Sequence, residues 1–225
     1  DIAENDTHIF VGDFGNNSGN RTDLTIYKIL KTDFLENDTV TAEVISFSYE
    51  DQSSFSNQTN NHNFDAESLV FYNNELLIFT KSWQDFKTNV YKIPTDPGTY
   101  VAEKVSSANV QGLITGATRV EEKILLCGYA TAAIPFLVYV APDDHSSFDV
   151  FRNGFENYNL LSELGFGSQI EAITIVNSGQ FYMSREAVNN QVFNLPAALF
   201  EFKDDRLTLS APSEDPVSIH FSPNP

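Results

Sequence analysis

Glu67-Ser68-Leu69-Val70-Phe71-Tyr72-Asn73-Asn74-Glu75-Leu76-Leu77-Ile78-Phe79-Thr80-Lys81 reads as two short apolar strands joined by an Asn-Asn turn. The same pattern returns, position for position, in Glu171-Ala172-Ile173-Thr174-Ile175-Val176-Asn177-Ser178-Gly179-Gln180-Phe181-Tyr182-Met183-Ser184-Arg185. Thr115 to Tyr129 aligns in the same frame, with Gly116-Ala117 opposite Ser68-Leu69, and Asp1 to Phe14 supplies a fourth, truncated copy. Recurrence of one unit along a chain is the signature of a repeat architecture.

Each paired run is followed by a polar loop and a third strand: Leu24 to Ile29, Asn89 to Ile93, Phe136 to Val140, and Ala198 to Phe202. A fourth strand follows in Thr41 to Tyr49 and Tyr100 to Ser106, and is expected at Phe148 to Arg152 and Arg206 to Ser210. Four antiparallel strands per repeat describe a propeller blade, so the expected fold is an all-β, β-propeller-like domain of about four recognisable four-stranded repeats. A β-sandwich, the main competitor, does not require similar strand pairs to recur at one internal spacing. The best helical candidate, Tyr158 to Leu164, is one or two turns long. We find no linker, so residues 1–221 are taken as a single domain.

Phenylalanine (19) and tyrosine (9) are abundant, as suits strands packed face to face. The balance of 31 acidic against 13 basic residues gives a net charge of −18, which disfavours nucleic acid and anionic membranes as partners. No run approaches the ~18 apolar residues of a membrane span, so no membrane insertion is expected. Cys127, alone of its kind, lies in the apolar run Ile124 to Gly128 and reads as a small buried hydrophobe; no disulfide can form within the chain. The start at Asp1, without methionine, suggests a mature or trimmed chain truncated at its N-terminal side. A monomer is expected.

The segments Phe10 to Asn17, Phe79 to Trp83, Gly112 to Ala117 and Gln169 to Ile173 together resemble secreted β-propeller-like domains of Bacteroidetes proteins. In such domains the first repeat opens with Trp-Glu-Asp-Ile, whose second half Asp1-Ile2 resembles. The tail Phe221-Ser222-Pro223-Asn224-Pro225 is similar to the opening of a type IX secretion C-terminal sorting domain, which places the start of a sorting segment at 222–225. The resemblance implies a secreted or cell-surface location and an extracellular ligand, and it implies no particular reaction.

Blade geometry gathers the start of each first strand and the end of each second strand on one face. Glu67 and Glu171 start inner strands, and inward carboxylates from different blades can share a Ca²⁺ ion. The alternative is that they cap backbone amides or pair with Lys81 and Arg185. Asp13, Lys81, Trp83, Tyr129, Arg185 and Glu186 end second strands on that face, and Asn16 and Asn17 begin the Asn/Gly-rich loop beside Asp13. These eight are the candidate ligand-binding residues. That loop departs from the spacing of an EF-hand. His8, His62, His145 and His220 show no metal-ligand spacing and read as surface residues. Sequons begin at Asn5, Asn16, Asn20, Asn37 and Asn57. No G-x-S-x-G, phosphate loop or zinc pattern is present. Two functions follow: a module binding a glycan, peptide or small molecule, or a calcium-dependent hydrolase of phosphoesterase or lactonase type, with Lys81 or Arg185 stabilising negative charge.

Overall fold

A computed structural model describes residues 1–142, 146–177, 179–189, 194–204 and 220–223. Blade 1 comprises β1 (Ile2–Glu4), β2 (His8–Asp13), β3 (Leu24–Leu30) and β4 (Glu43–Tyr49), with a short helix α1 (Lys31–Glu36) between the last two. Blade 2 comprises β5 (Ala66–Tyr72), β6 (Glu75–Thr80), β7 (Thr88–Pro94) and β8 (Gly98–Ala108). Blade 3 comprises β9 (Leu113–Val120), β10 (Lys123–Ala130), β11 (Ile134–Val140) and β12 (Glu156–Asn159), followed by the single turn α2 (Leu161–Leu164). Blade 4 comprises β13 (Ile170–Asn177), β14 (Gln180–Arg185), β17 (Ala198–Lys203) and β18 (His220–Pro223). A small hairpin, β15 (Val188–Asn189) with β16 (Asn194–Leu195), projects from the loop after β14. The described residues form a β-propeller with four blades.

The second strands of blades 2 and 3 are apolar on both faces, so each packs against a blade on either side. Successive side chains of a strand point to opposite faces. In β6, Leu76 and Ile78 enter the core between blades 1 and 2, while Leu77 and Phe79 enter the core between blades 2 and 3. In β10, Ile124 and Leu126 face blade 2, while Leu125 and Cys127 face blade 4. All eight side chains are fully buried, and each large one contributes about 1.5–3 kcal/mol on leaving water. Asn73 and Asn74, with φ of 50° and 64°, make the β5–β6 turn; both take the left-handed conformation that a two-residue hairpin favours and that Asn tolerates.

Two features depart from the expected repeat. The outermost strands of blades 1 and 2, β4 and β8, pair in parallel from Ile45 opposite Gly98 to Tyr49 opposite Ala102, fusing the two blades into one eight-stranded sheet. The outer strand of blade 3 is Glu156–Asn159, replacing the expected Phe148 to Arg152. Phe151 is instead a core side chain at the edge of Phe79, and Asp149 accepts the Ser106 hydroxyl, so that stretch plugs the bottom of the blade 2–3 interface. The helical reading of Tyr158 to Leu164 holds only for its last turn, since Tyr158 pairs with Leu137 in the sheet. The expected strand at Arg206 to Ser210 lies outside the described residues; β18 fills the outer position of blade 4, and its pairing runs through Pro223.

Three apolar clusters fill the blade 1–2, 2–3 and 3–4 interfaces. Blades 4 and 1 share none among the described residues. The inner strands of all four blades line the central channel, a cleft of about 930 Å³ containing Ile2, Leu69, Arg119, Ile173 and Ile175. No described helix is long and apolar enough to cross a membrane.

Candidate functional site

Three of the four inner strands carry a β-bulge at the same place. In β5 the register shifts between Ala66 and Ser68, in β13 between Ile170 and Ala172, and β9 shifts at the level of Cys127 and Gly128. The extra residues are Glu67, Glu171 and Thr115. A bulge re-aims the side chain it inserts, and all three line one mouth of the central channel, a cavity of about 340 Å³ shared with Asp1, Gly12, Phe14 and Gly15. Close packing requires the small residues beside them. A Cβ on Gly128 would lie 1.9 Å from the Leu113 carbonyl oxygen, and one on Gly116 would lie 3.0 Å from the Ala172 Cα.

The three bulges have different chemistry. Thr115 is buried, and its hydroxyl donates to the Ile170 carbonyl, tying β9 to β13. Glu67 Oε2 accepts from Lys81 Nζ at 2.8 Å. Lys81 is 5 % exposed, and its ammonium stands 5.1 Å from the Trp83 ring centroid and 5.4 Å from that of Tyr129. Burial alone would lower the Lys81 pKa, but Glu67, with Tyr129 and Glu171, outweighs it and holds the ammonium above its ordinary range. Burial raises the Glu67 carboxyl, with Lys81 opposing.

Glu171 accepts no hydrogen bond among the described residues. Burial first, opposed by Lys81 and reinforced by Glu67 and Glu186, pushes its pKa up to about 7. Asp1 is spent on the backbone: its Oδ2 accepts the amides of Leu69 at 3.0 Å and Ala117 at 3.2 Å, joining three inner strands. The Cys127 thiol, behind Thr115 and fully buried, is pushed up by burial and has no access to the mouth.

Of the expected ligand-binding residues, Lys81, Trp83 and Tyr129 meet around the mouth. Trp83 is also anchored, its indole N–H donating to Asp65 Oδ2 at 2.9 Å. Asp65 is a site residue the sequence did not reveal. It is completely buried, accepts the Asn16 amide at 2.6 Å through Oδ1, and its carbonyl accepts the Lys81 amide, so it pins the first rim loop, Trp83 and Lys81 together. The readable trace was a break in strand alternation at Asp65-Ala66-Glu67, where three consecutive residues face a core or a channel.

The other candidates have structural partners. Asn16 is buried and folds its own loop, donating to the Phe64 carbonyl and accepting the Arg21 amide. Asp13 pairs with Arg21 at 2.9 Å, and exposed Asn17 offers its carbonyl to His62. Arg185 points away from Glu171, donating to the Pro196 carbonyl and the Ser168 hydroxyl and lying over Phe200. The anticipated Glu171–Arg185 pair therefore does not form. Glu186 is exposed beside Glu171. His62 is not a surface residue: at 6 % exposure its Nδ1 accepts the Phe64 amide, so Nε2 carries the proton donated to Asn17. His8 is half-exposed beside Thr7, and the side chains of His145 and His220 lie outside the described residues.

Glu67 and Glu171 do face one cavity, as a shared Ca²⁺ would need, but the donor set does not fit that ion. Calcium takes six to eight oxygens, whereas Glu67 already holds an ammonium and the Asp1 carboxylate is committed to amides. Among the described residues no three His, Cys, Asp or Glu side chains are grouped to hold a metal.

No family profile and no curated protein matches the chain. Among solved structures it is similar to an alpha-L-arabinofuranosidase from Clostridium thermocellum, at 12 % identity and a TM-score of 0.46, covering 99 % of this chain and 71 % of that one. It is also similar to the WD40 domain of Toxoplasma gondii coronin (7 % identity, 90 % and 66 % covered, TM-score 0.33). The WD40 propeller domain of Doa1 is a third (10 % identity, 90 % and 74 % covered, TM-score 0.35).

Proposed function

We propose that this propeller is an exported ligand-binding module whose channel mouth takes a small ligand bearing an amine or hydroxyl groups, such as a sugar or a peptide end. The observation that carries the reading is Glu171, a carboxyl aimed into an open cavity with no hydrogen-bond partner among the described residues. A ligand donor would supply the missing partner and favour the ionised form. The Glu67–Lys81 pair beside it offers an outward anion, and the Trp83 and Tyr129 rings frame the cation. Export rests on the resemblance of four segments and the Pro-Asn-Pro tail to secreted Bacteroidetes domains.

A hydrolase is the second reading, supported by the raised pKa of Glu171, a value suited to proton transfer near neutrality. The calcium-dependent form of that reading loses support from the donor set. Calorimetric titration with amino sugars and short peptides, run beside nitrophenyl ester and phosphoester assays, separates the two. Binding abolished by Glu171→Gln, without turnover, supports the module; turnover abolished by the same change supports the enzyme, and neither signal refutes both.

A further inference from the structure

The parallel joint between β4 and β8 ends at Tyr49 and Ala102, and beyond it residues 50–63 arch over the gap between blades 1 and 2. Under this arch is a second cavity, about 290 Å³, well away from the channel strands. Its lining combines amides, hydroxyls, the His62 imidazole and one opposed charge pair with apolar surface that includes the Phe64 ring.

Two groups in it are set up for a ligand. Asn89 shares a strand face with Tyr91 and Ile93, which fill the blade 1–2 core; Asn89 is the last side chain of that face, where the core opens into the cavity. It is 7 % exposed, and its side-chain amide makes no hydrogen bond among the described residues. The amide N and O keep some exposure within the cavity that they line, so they are open to exchange water for a ligand's polar groups. Opposite, Asp51 is held in place: Oδ1 accepts the Tyr91 hydroxyl at 2.7 Å and Oδ2 lies 3.6 Å from Lys104 Nζ. Burial, then the Asp51 bond, raises the Tyr91 phenol, so it stays a donor. Both Asp51 oxygens retain lone pairs for a further donor.

We infer that this cavity is a binding site for one neutral sugar ring. Asn89 both donates and accepts, and Asp51 accepts, which matches vicinal hydroxyls. The Asp51–Lys104 pair leaves no net charge for an ionic ligand to neutralise, and Phe64 suits the C–H face of a ring. The volume holds roughly ten waters at about 30 Å³ each, the scale of a single ring sugar. The site is independent of the channel mouth and of the reading given to it.

The test titrates the whole chain with methyl pyranosides of glucose, galactose, mannose and xylose, read by saturation-transfer NMR and amide shifts. At least one glycoside binds with millimolar affinity and shifts the amides of Asp51, Asn63, Asn89 and Lys104. Asn89→Ala weakens it about tenfold, the loss of a well-made hydrogen bond. Ser53→Trp, on the exposed lip, blocks it without entering the core, and Glu171→Gln leaves it unchanged. No binding up to ~100 mM, the weak end for one small ligand, overturns the assignment. So does binding that survives both Asn89→Ala and Ser53→Trp, or that Glu171→Gln abolishes.

Discussion

Lys81 Nζ stands 2.8 Å from Glu67 Oε2 with the lysine side chain 6 % exposed and the glutamate 27 %, so a cation is kept inside and an anion is presented to the channel mouth. Lys81→Met leaves a half-buried carboxylate without its counter-charge and is expected to destabilise the fold by about 2–3 kcal/mol in urea unfolding. Adding Glu67→Gln restores most of that loss, because the double variant has no orphaned charge. Simple additivity of the two changes would show that the pair is not coupled.

Glu171 sets a pH signature. Its pKa rises from 4.5 to about 7 on folding. The folded chain therefore binds more protons than the unfolded chain between those values, and this contribution to stability declines as pH rises from 4.5 to 7. The melting temperature of Glu171→Gln should fall less over that interval than that of the native chain. Parallel curves would place the Glu171 carboxyl in an ordinary, solvated setting.

Trp83 serves the fold as well as the mouth. Trp83→Phe keeps a ring near Lys81 but removes the donor to Asp65, leaving a fully buried carboxylate oxygen with one partner fewer. A loss of about 1–3 kcal/mol is expected by denaturant titration. A change within about 0.5 kcal/mol, the size of a neutral surface substitution, would mean that water replaces the indole.

Cys127 reports on opening. Its thiol is fully buried with its pKa raised, so reaction with a disulfide reagent in native buffer should proceed only as fast as the blades separate. Gly116→Ala accelerates it, because the new Cβ would lie 3.0 Å from Cys127 Sγ and 3.0 Å from the Ala172 Cα where β9 meets β13. Immediate labelling of the native chain would contradict this packing.

Calcium should leave the chain indifferent. Millimolar Ca²⁺ and chelator are expected to give the same melting temperature, since the mouth already contains its own cation in Lys81. An ion bound at 100 times its dissociation constant would add about 2.7 kcal/mol, a shift large enough to restore the metal reading.

The repeat was legible because short apolar runs return at a fixed internal spacing, and Leu76 to Phe79 and Ile124 to Cys127 occupy the same place in that frame. That frame alone puts Glu67, Lys81, Trp83 and Glu171 on one face of the blades, and the structure places Glu67 and Glu171 in one cavity with Lys81 and Trp83 beside Glu67. What escaped depended on tertiary context. Phe148 to Arg152 looks like a strand by composition, yet Phe151 fills a gap below Phe79 that no local pattern announces. Asp65 and His62 earn their burial through partners 49 and 45 residues distant, Asn16 and Asn17. Arg185 had the right position for Glu171, but the rim hairpin beyond it presented the Pro196 carbonyl.

The joint between β4 and β8 also divides the molecule dynamically. Hydrogen bonds run unbroken from β1 to β5 across eight strands, so neither half of that sheet can separate without breaking backbone pairing, whereas blades 3 and 4 share no strand pairing with their neighbours and adhere chiefly through side chains. Amide exchange should accordingly find one large cooperative unit in residues 1–108 and two smaller ones after it, with the last blade opening first.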